Sequence, residues 1–135
     1  MNFEVGITTP NFLKGVQRID NALKQNRTIA FMCSESNPLD CHRYSFISRY
    51  FYENNYEILH ILKNKENGCV ETKTHNELEE SMIKEYLSKK KPELREIGAS
   101  FFDVYTESEQ RCDAYKLKNR DIGYINQQEE INIID

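Results

Sequence analysis

Two short apolar runs without polar alternation, TIAFMC at 28–33 and YEILHIL at 56–62, limit what this chain can fold into. Continuous runs of that length suit strands covered on both faces, the pattern of a parallel sheet. Between them Asn37-Pro38 breaks the chain and Asp40 offers an N-cap. A helix is therefore expected from Cys41 to about Asn54, with Ile47, Tyr50 and Phe51 on one face. Strand, helix, strand in that order is a right-handed βαβ unit. The expected fold class is α/β, a small parallel sheet built on this unit with flanking helices.

The flanks carry local signals. Thr9-Pro10 supplies an N-cap and a proline at the first helical position, and Phe12, Val16, Ile19 and Leu23 recur at helical spacing up to about Gln25. NKENG at 64–68 is a turn, from which Cys69 to Thr72 is expected to return as a short strand. Thr74 with Glu77, and Thr106 with Glu109, have capping-box spacing. The first opens a helix marked by Leu78, Met82, Ile83, Tyr86 and Leu87, and the second a helix to about Asn119. KKKPE at 89–93 places cations at the negative end of a helix ahead of a proline, which argues for a helix terminus over a nucleic-acid patch. Residues 1–125 are expected to form one domain and 126–135 a flexible C-terminal tail. Two strands against four helices leave the sheet short, so further strands are expected within REIGASFFDVY at 95–105, or from a partner or second copy that completes the sheet.

A formal net charge of -4 argues against coating DNA or an anionic membrane through bulk charge. No apolar stretch approaches the length of a membrane span, and MNFEVGITTP lacks a basic region followed by an apolar one. A cytoplasmic protein is expected, with Cys33, Cys41, Cys69 and Cys112 as free thiols.

The chemistry concentrates in FMCSESNPLDCHR at 31–43. In open α/β sheets ligands bind beyond the carboxyl ends of the strands, where Cys33, Ser34 and Glu35 would emerge. The helix start at Cys41 would aim free N–H groups at the same crevice, where Ser34, Cys41, His42 and Arg43 would receive an anion. Cys41 reads either as a nucleophile activated by the helix N-terminus, with Glu35 or His42 as acid/base, or as a small residue at a buried helix start. Glu35 reads equally as a solvated carboxylate or a partner for Arg43. The Cys-to-Arg spacing is wrong for a phosphatase loop. Zinc would have to collect Cys33, Cys41, His42 and either His60 or His75, gaps that match no zinc signature. His60, within EILHIL, reads as a satisfied core histidine within reach of the crevice, and His75 as a surface residue of a first helical turn. No metal and no cofactor is called for.

The run from Ile29 to Leu62 resembles the core segment of the domain of unknown function 488 (DUF488) family. Members carry a strand ending in Cys-x-Glu and then a Pro-x-x-Cys-His-Arg helix start, matched here by Cys33, Glu35, Pro38, Cys41, His42 and Arg43 and followed by His60-Ile61. FLKGVQRIDNALKQNRTIAFMC is similar to the preceding helix and strand, and AYKLKNRDIGYI at 114–125 to a closing Ala-Tyr and Ile-Gly-Tyr segment. The family's Gly-His-Ser and Asp-Val-Arg strands have no counterpart here, so the resemblance implies a C-terminal portion lacking the N-terminal strands. It implies a fold and a site but no reaction. The functional expectation is a domain binding an anionic, phosphate-bearing small molecule or a nucleic-acid end. The alternatives are a non-catalytic assembly module of a truncated or split family member, and a structural zinc site.

Overall fold

The structure is a computed structural model and describes residues 2–90 and 106–132. It has mixed helix and sheet and divides into two compact units, Met1–Ser34 and Glu35–Asp135.

The first unit holds α1 (Phe3–Gly6) and α2 (Pro10–Lys24). Thr9 caps α2 as the sequence implies, its hydroxyl accepting the Phe12 N–H, with Pro10 at the first helical position. The amphipathic pattern of α2 is not matched by burial. None of its residues is buried, and Leu13 and Leu23 are exposed. Residues 28–33 form no strand, and Met32 is 93% exposed.

The second unit carries the core. A 3-10 turn at Pro38–Asp40 leads into a helix that opens with a wide π-type segment, Arg43–Ser48, and continues as α3 (Arg49–Glu53). Strands β1 (Leu59–Lys63) and β2 (Val70–Thr74) form an antiparallel hairpin in which His60 pairs with Lys73 and Leu62 with Glu71. Helices α4 (His75–Lys90) and α5 (Glu107–Asn132) follow. Tyr44, Leu78, Met82, Tyr86, Ala114 and Tyr115 form the core cluster, with Leu39 and Leu62 packed against it.

The expected parallel βαβ unit is not what forms, because β1 takes its neighbour from the next segment of chain. Closing a short loop sacrifices less chain entropy than recruiting a strand from beyond a helix, and the loop is built for closure. Asn64 accepts the N–H groups of Glu66 and Asn67, and Gly68 adopts the positive φ of 72° that favours glycine. Among the described residues TIAFMC therefore has no sheet to join. Both capping boxes form as spaced: the main-chain N–H groups of Thr74 and Thr106 donate to the carboxylates of Glu77 and Glu109, at 2.7 and 2.8 Å. Helix α5 continues to Asn132, past the expected end near Asn119. The strand expected within 95–105, and the end of KKKPE, lie outside the described residues. No helix is long and apolar enough to cross a membrane among the described residues.

Candidate functional site

The CHR motif sits at a helix start, as its sequence implies, but it is built inward. Cys41 stands extended just ahead of the first helical residue, and its sulfur accepts the Arg43 main-chain N–H at 3.3 Å, as a capping side chain does. Asp40, expected as the cap, instead receives Lys118 Nζ at 3.0 Å. Cys41 is buried, whereas Cys33, Cys69 and Cys112 are exposed. A thiol reagent added to the native protein is therefore expected to modify those three first and Cys41 only on unfolding, which mass spectrometry of the labelled peptides would read. Early labelling of Cys41 would restore the nucleophile reading. His42 and Arg43 are half-buried, with burial lowering the His42 pKa, and Glu35 is exposed. Cys33 and Ser34 belong to the first unit and are exposed there. Among the described residues no group of three His, Cys, Asp or Glu side chains is placed to hold a metal ion.

The helix beyond this start buries Tyr44, Ser45, Ser48, Arg49 and Phe51, a more polar face than Ile47, Tyr50 and Phe51 would have made. Tyr44 of this helix meets a buried hydrogen-bond chain, its hydroxyl 3.4 Å from that of Tyr115. His60 Nε2 lies 3.1 Å from His75 Nδ1, His75 Nε2 lies 2.9 Å from the Tyr115 hydroxyl, and Tyr115 donates to Glu79 at 2.8 Å. Proton bookkeeping orients the chain. A carboxylate only accepts, so the single phenolic proton of Tyr115 goes to Glu79 and its oxygen accepts from His75 Nε2–H. His75 Nδ1 is then the acceptor for His60 Nε2–H. The His75 ring lies between the rings of Tyr44 and Tyr52, each centroid 4.6 Å away.

Burial lowers the His60 pKa to about 4, with the Arg43 charge assisting. Burial likewise lowers His75 to about 3, with His60, Arg111 and Arg49 adding to it. Both rings are neutral at pH 7. Burial also pushes the Tyr44 and Tyr115 phenols up, so they remain protonated donors. Arg111 donates to Glu79 at 2.5 Å and to Glu53 at 3.0 Å, Glu53 also accepts Arg49 at 2.9 Å, and the Arg49 guanidinium lies 4.3 Å over the Tyr115 ring. His75, expected on the surface, is 1% exposed because its place at the start of α4 turns it into the core. Its signal was available: His75 and Glu79, like Arg111 and Tyr115, are four residues apart and so share a helix face. This network is a buried scaffold that meets a cleft through Glu79 and Arg111.

A larger cleft lies further along the inward face of the hairpin. A cleft of about 750 Å³ is lined by Ser36, Asn37 and Leu39 of the turn before Cys41, by Leu62 to Glu66 and Gly68 of the hairpin, by Glu71 and Lys73 of β2, and by Leu78 and Ser81 of α4. Alternation along β1 and β2 places Leu62, Glu71 and Lys73 with His60 on the inward face and Leu59, Ile61 and Val70 outward, whereas Lys63, paired with Val70 on the outward face, meets the cleft at the hairpin end, its Cε lying beside Gly68. Lys63 and Lys65 at this cleft have no ion pair among the described residues, while Lys73 lies 3.6 Å from Glu71, whose other oxygen accepts from Asn64. A second cleft of about 530 Å³ is lined by Glu79, Glu80 and Glu107 against Lys84 and Arg111, an acidic balance, whereas Lys63, Lys65 and Lys73 face Glu66 and Glu71 at the first. The structure thus brings the turn of the motif to a lysine-bearing cleft, and brings none of Glu35, Cys41, His42 or Arg43 to its lining.

Comparison of the chain with protein-family models, with curated proteins and with solved structures finds no match in any of the three.

Proposed function

We propose that the chain is a DUF488-like domain that binds an anionic, phosphate-bearing small molecule, or the phosphate end of a nucleic acid, in the cleft between the Ser36–Leu39 turn and the hairpin. The observation that carries this reading is the set of three lysines, Lys63, Lys65 and Lys73, on one cleft of about 750 Å³, a volume suited to a small ligand. Two of them have no acidic partner among the described residues to neutralise them, and ammonium groups held at a concave wall attract phosphate as point charges. In this reading Cys41 serves as a cap that fixes the turn, and the anion goes to lysine side chains in place of the helix start. Titration of the full chain with pyrophosphate is expected to saturate and to weaken with added salt. The double substitution Lys63→Ala/Lys65→Ala is expected to weaken it at least tenfold. Binding unchanged by that substitution would contradict the reading.

A second reading, assembly, is favoured by the first unit. Its helix α2 buries nothing, and Val5, Leu13, Leu23, Phe31 and Met32 are exposed. We read these exposed residues as the side on which a partner would pack. In this reading a partner or a second copy supplies the strands that TIAFMC needs to enter the parallel sheet of the DUF488 resemblance. Light scattering after size exclusion tests it: a monomer at all concentrations would remove the second-copy form, and a dimer lost on Leu13→Glu/Leu23→Glu substitution would support it.

A further inference from the structure

The floor of the lysine cleft is apolar, and a bare phosphate would make no use of it. Leu39 and Leu62 line the cleft and pack against the core cluster, and Leu78, which also lines it, is a member of that cluster. Cations at the wall and leucines at the base call for a ligand with a charged end and an uncharged, flat body. Of the uncharged polar side chains at the cleft, Ser36, Asn37, Asn64 and Ser81, Asn37 is next to the Leu39 wall. Asn37 lines the cleft, and its side-chain oxygen is occupied by the Leu39 main-chain N–H at 3.1 Å, so the orientation of its amide leaves the NH2 group as the donor. A sugar phosphate offers only small C–H patches broken by hydroxyls, and an acyl phosphate offers a carbonyl acceptor but no flat face. A nucleobase has both, apolar faces and acceptor atoms at its rim.

We infer that the cleft takes a nucleoside monophosphate, with the base over Leu39, Leu62 and Leu78, an acceptor on its edge bonded to the Asn37 NH2 group, and the phosphate on Lys63, Lys65 and Lys73. The inference rests on the anion-binding reading and narrows its ligand. The same chemistry is presented by a free nucleotide and by the 5′-phosphorylated end of a single strand. A volume of about 750 Å³ holds one nucleotide of either.

The test titrates the full chain, by calorimetry at fixed salt, with AMP, adenosine, ribose 5-phosphate, pyrophosphate and a 5′-phosphorylated hexa-adenylate. AMP or the hexamer is expected to bind at least tenfold more tightly than either adenosine or ribose 5-phosphate, since each of those removes one half of the recognition. The stronger of the two names the source. An Asn37→Asp chain, whose side chain still accepts from Leu39 N–H but no longer donates, is expected to lose most of the preference for AMP over ribose 5-phosphate. Its thermal unfolding would show that it still folds. Equal binding of AMP, ribose 5-phosphate and pyrophosphate would overturn the nucleotide inference and leave the anion reading standing. Binding of none of them would overturn both.

Discussion

Truncating Glu79 to alanine is expected to destabilise the second unit by about 3–5 kcal/mol, the range found when one partner of a buried ion pair is removed. Glu79 accepts from Arg111 on one oxygen and from Tyr115 on the other, and its side chain is only 8% exposed. Its loss leaves a half-buried guanidinium and a buried phenol without their acceptor. It also strips the His60–His75–Tyr115 chain of the carboxylate that orients it. Arg49 and Glu53 remain, so Arg111 keeps one carboxylate, and the effect stays below that of an isolated buried charge. Glu79→Gln keeps an oxygen to accept one of the two bonds and is expected to fall between wild type and alanine. Urea unfolding of the three chains at pH 7 measures this. A loss below about 1 kcal/mol for Glu79→Ala would place the pair in the class of exposed ion pairs and contradict the burial described here.

Acid is expected to unfold the chain through its histidines before its carboxylates are exhausted. In the unfolded chain His60 and His75 take up protons near 6.5, but in the native protein only at about 4 and about 3. The unfolded state thus binds more protons throughout that window, so stability is full above pH 6.5, declines as pH falls below it, and is withdrawn as pH passes about 4 and then about 3. A tenfold difference in proton affinity is about 1.4 kcal/mol. The two rings together therefore remove on the order of several kcal/mol, a large share of the ~5–15 kcal/mol that holds a domain together. Facing them are Arg43 and Arg49 from the helix after Cys41, Glu79 from α4, and Arg111 and Tyr115 from α5. The cations reinforce the effect, and Glu79 opposes it only weakly while Arg111 and Tyr115 occupy its oxygens. Urea midpoints at pH 7.5, 5.5 and 4.5 should fall steadily. A His60→Gln chain, which cannot titrate at that position, should show a shallower fall. Midpoints flat between pH 7.5 and 4.5 would contradict the neutral, buried state of both rings.

Signals confined to a few neighbouring residues were legible in the sequence. Thr9-Pro10, the Thr74–Glu77 and Thr106–Glu109 boxes and the turn at NKENG each depend on hydrogen bonds spanning two to four residues, and all formed. Strand partnership was not legible, because YEILHIL carries the same apolar signal whether its neighbour lies ahead of it or behind it. Pairing was decided by the short loop to β2. Of the motif FMCSESNPLDCHR, the Cys41-His42-Arg43 end lies at a helix start as expected, whereas the strand expected to end at Cys33 does not form. The motif's side chains are divided between cap, surface and core, and the lysines of the cleft come from the hairpin, which spacing around Cys41 does not reach. The buried relay was half legible. His75 with Glu79, and Arg111 with Tyr115, announce shared faces at four-residue spacing. That the faces of α4 and α5 meet is a fact of packing that no local window contains.

The claim that the cleft between the Ser36–Leu39 turn and the hairpin is the binding site is tested most directly by amide NMR of the full chain titrated with AMP. Shifts are predicted to cluster on residues 36–39, 62–68, 71–73 and 78–81. Shifts centred instead on Cys41, His42 and Arg43, with the hairpin lysines unmoved, would contradict it.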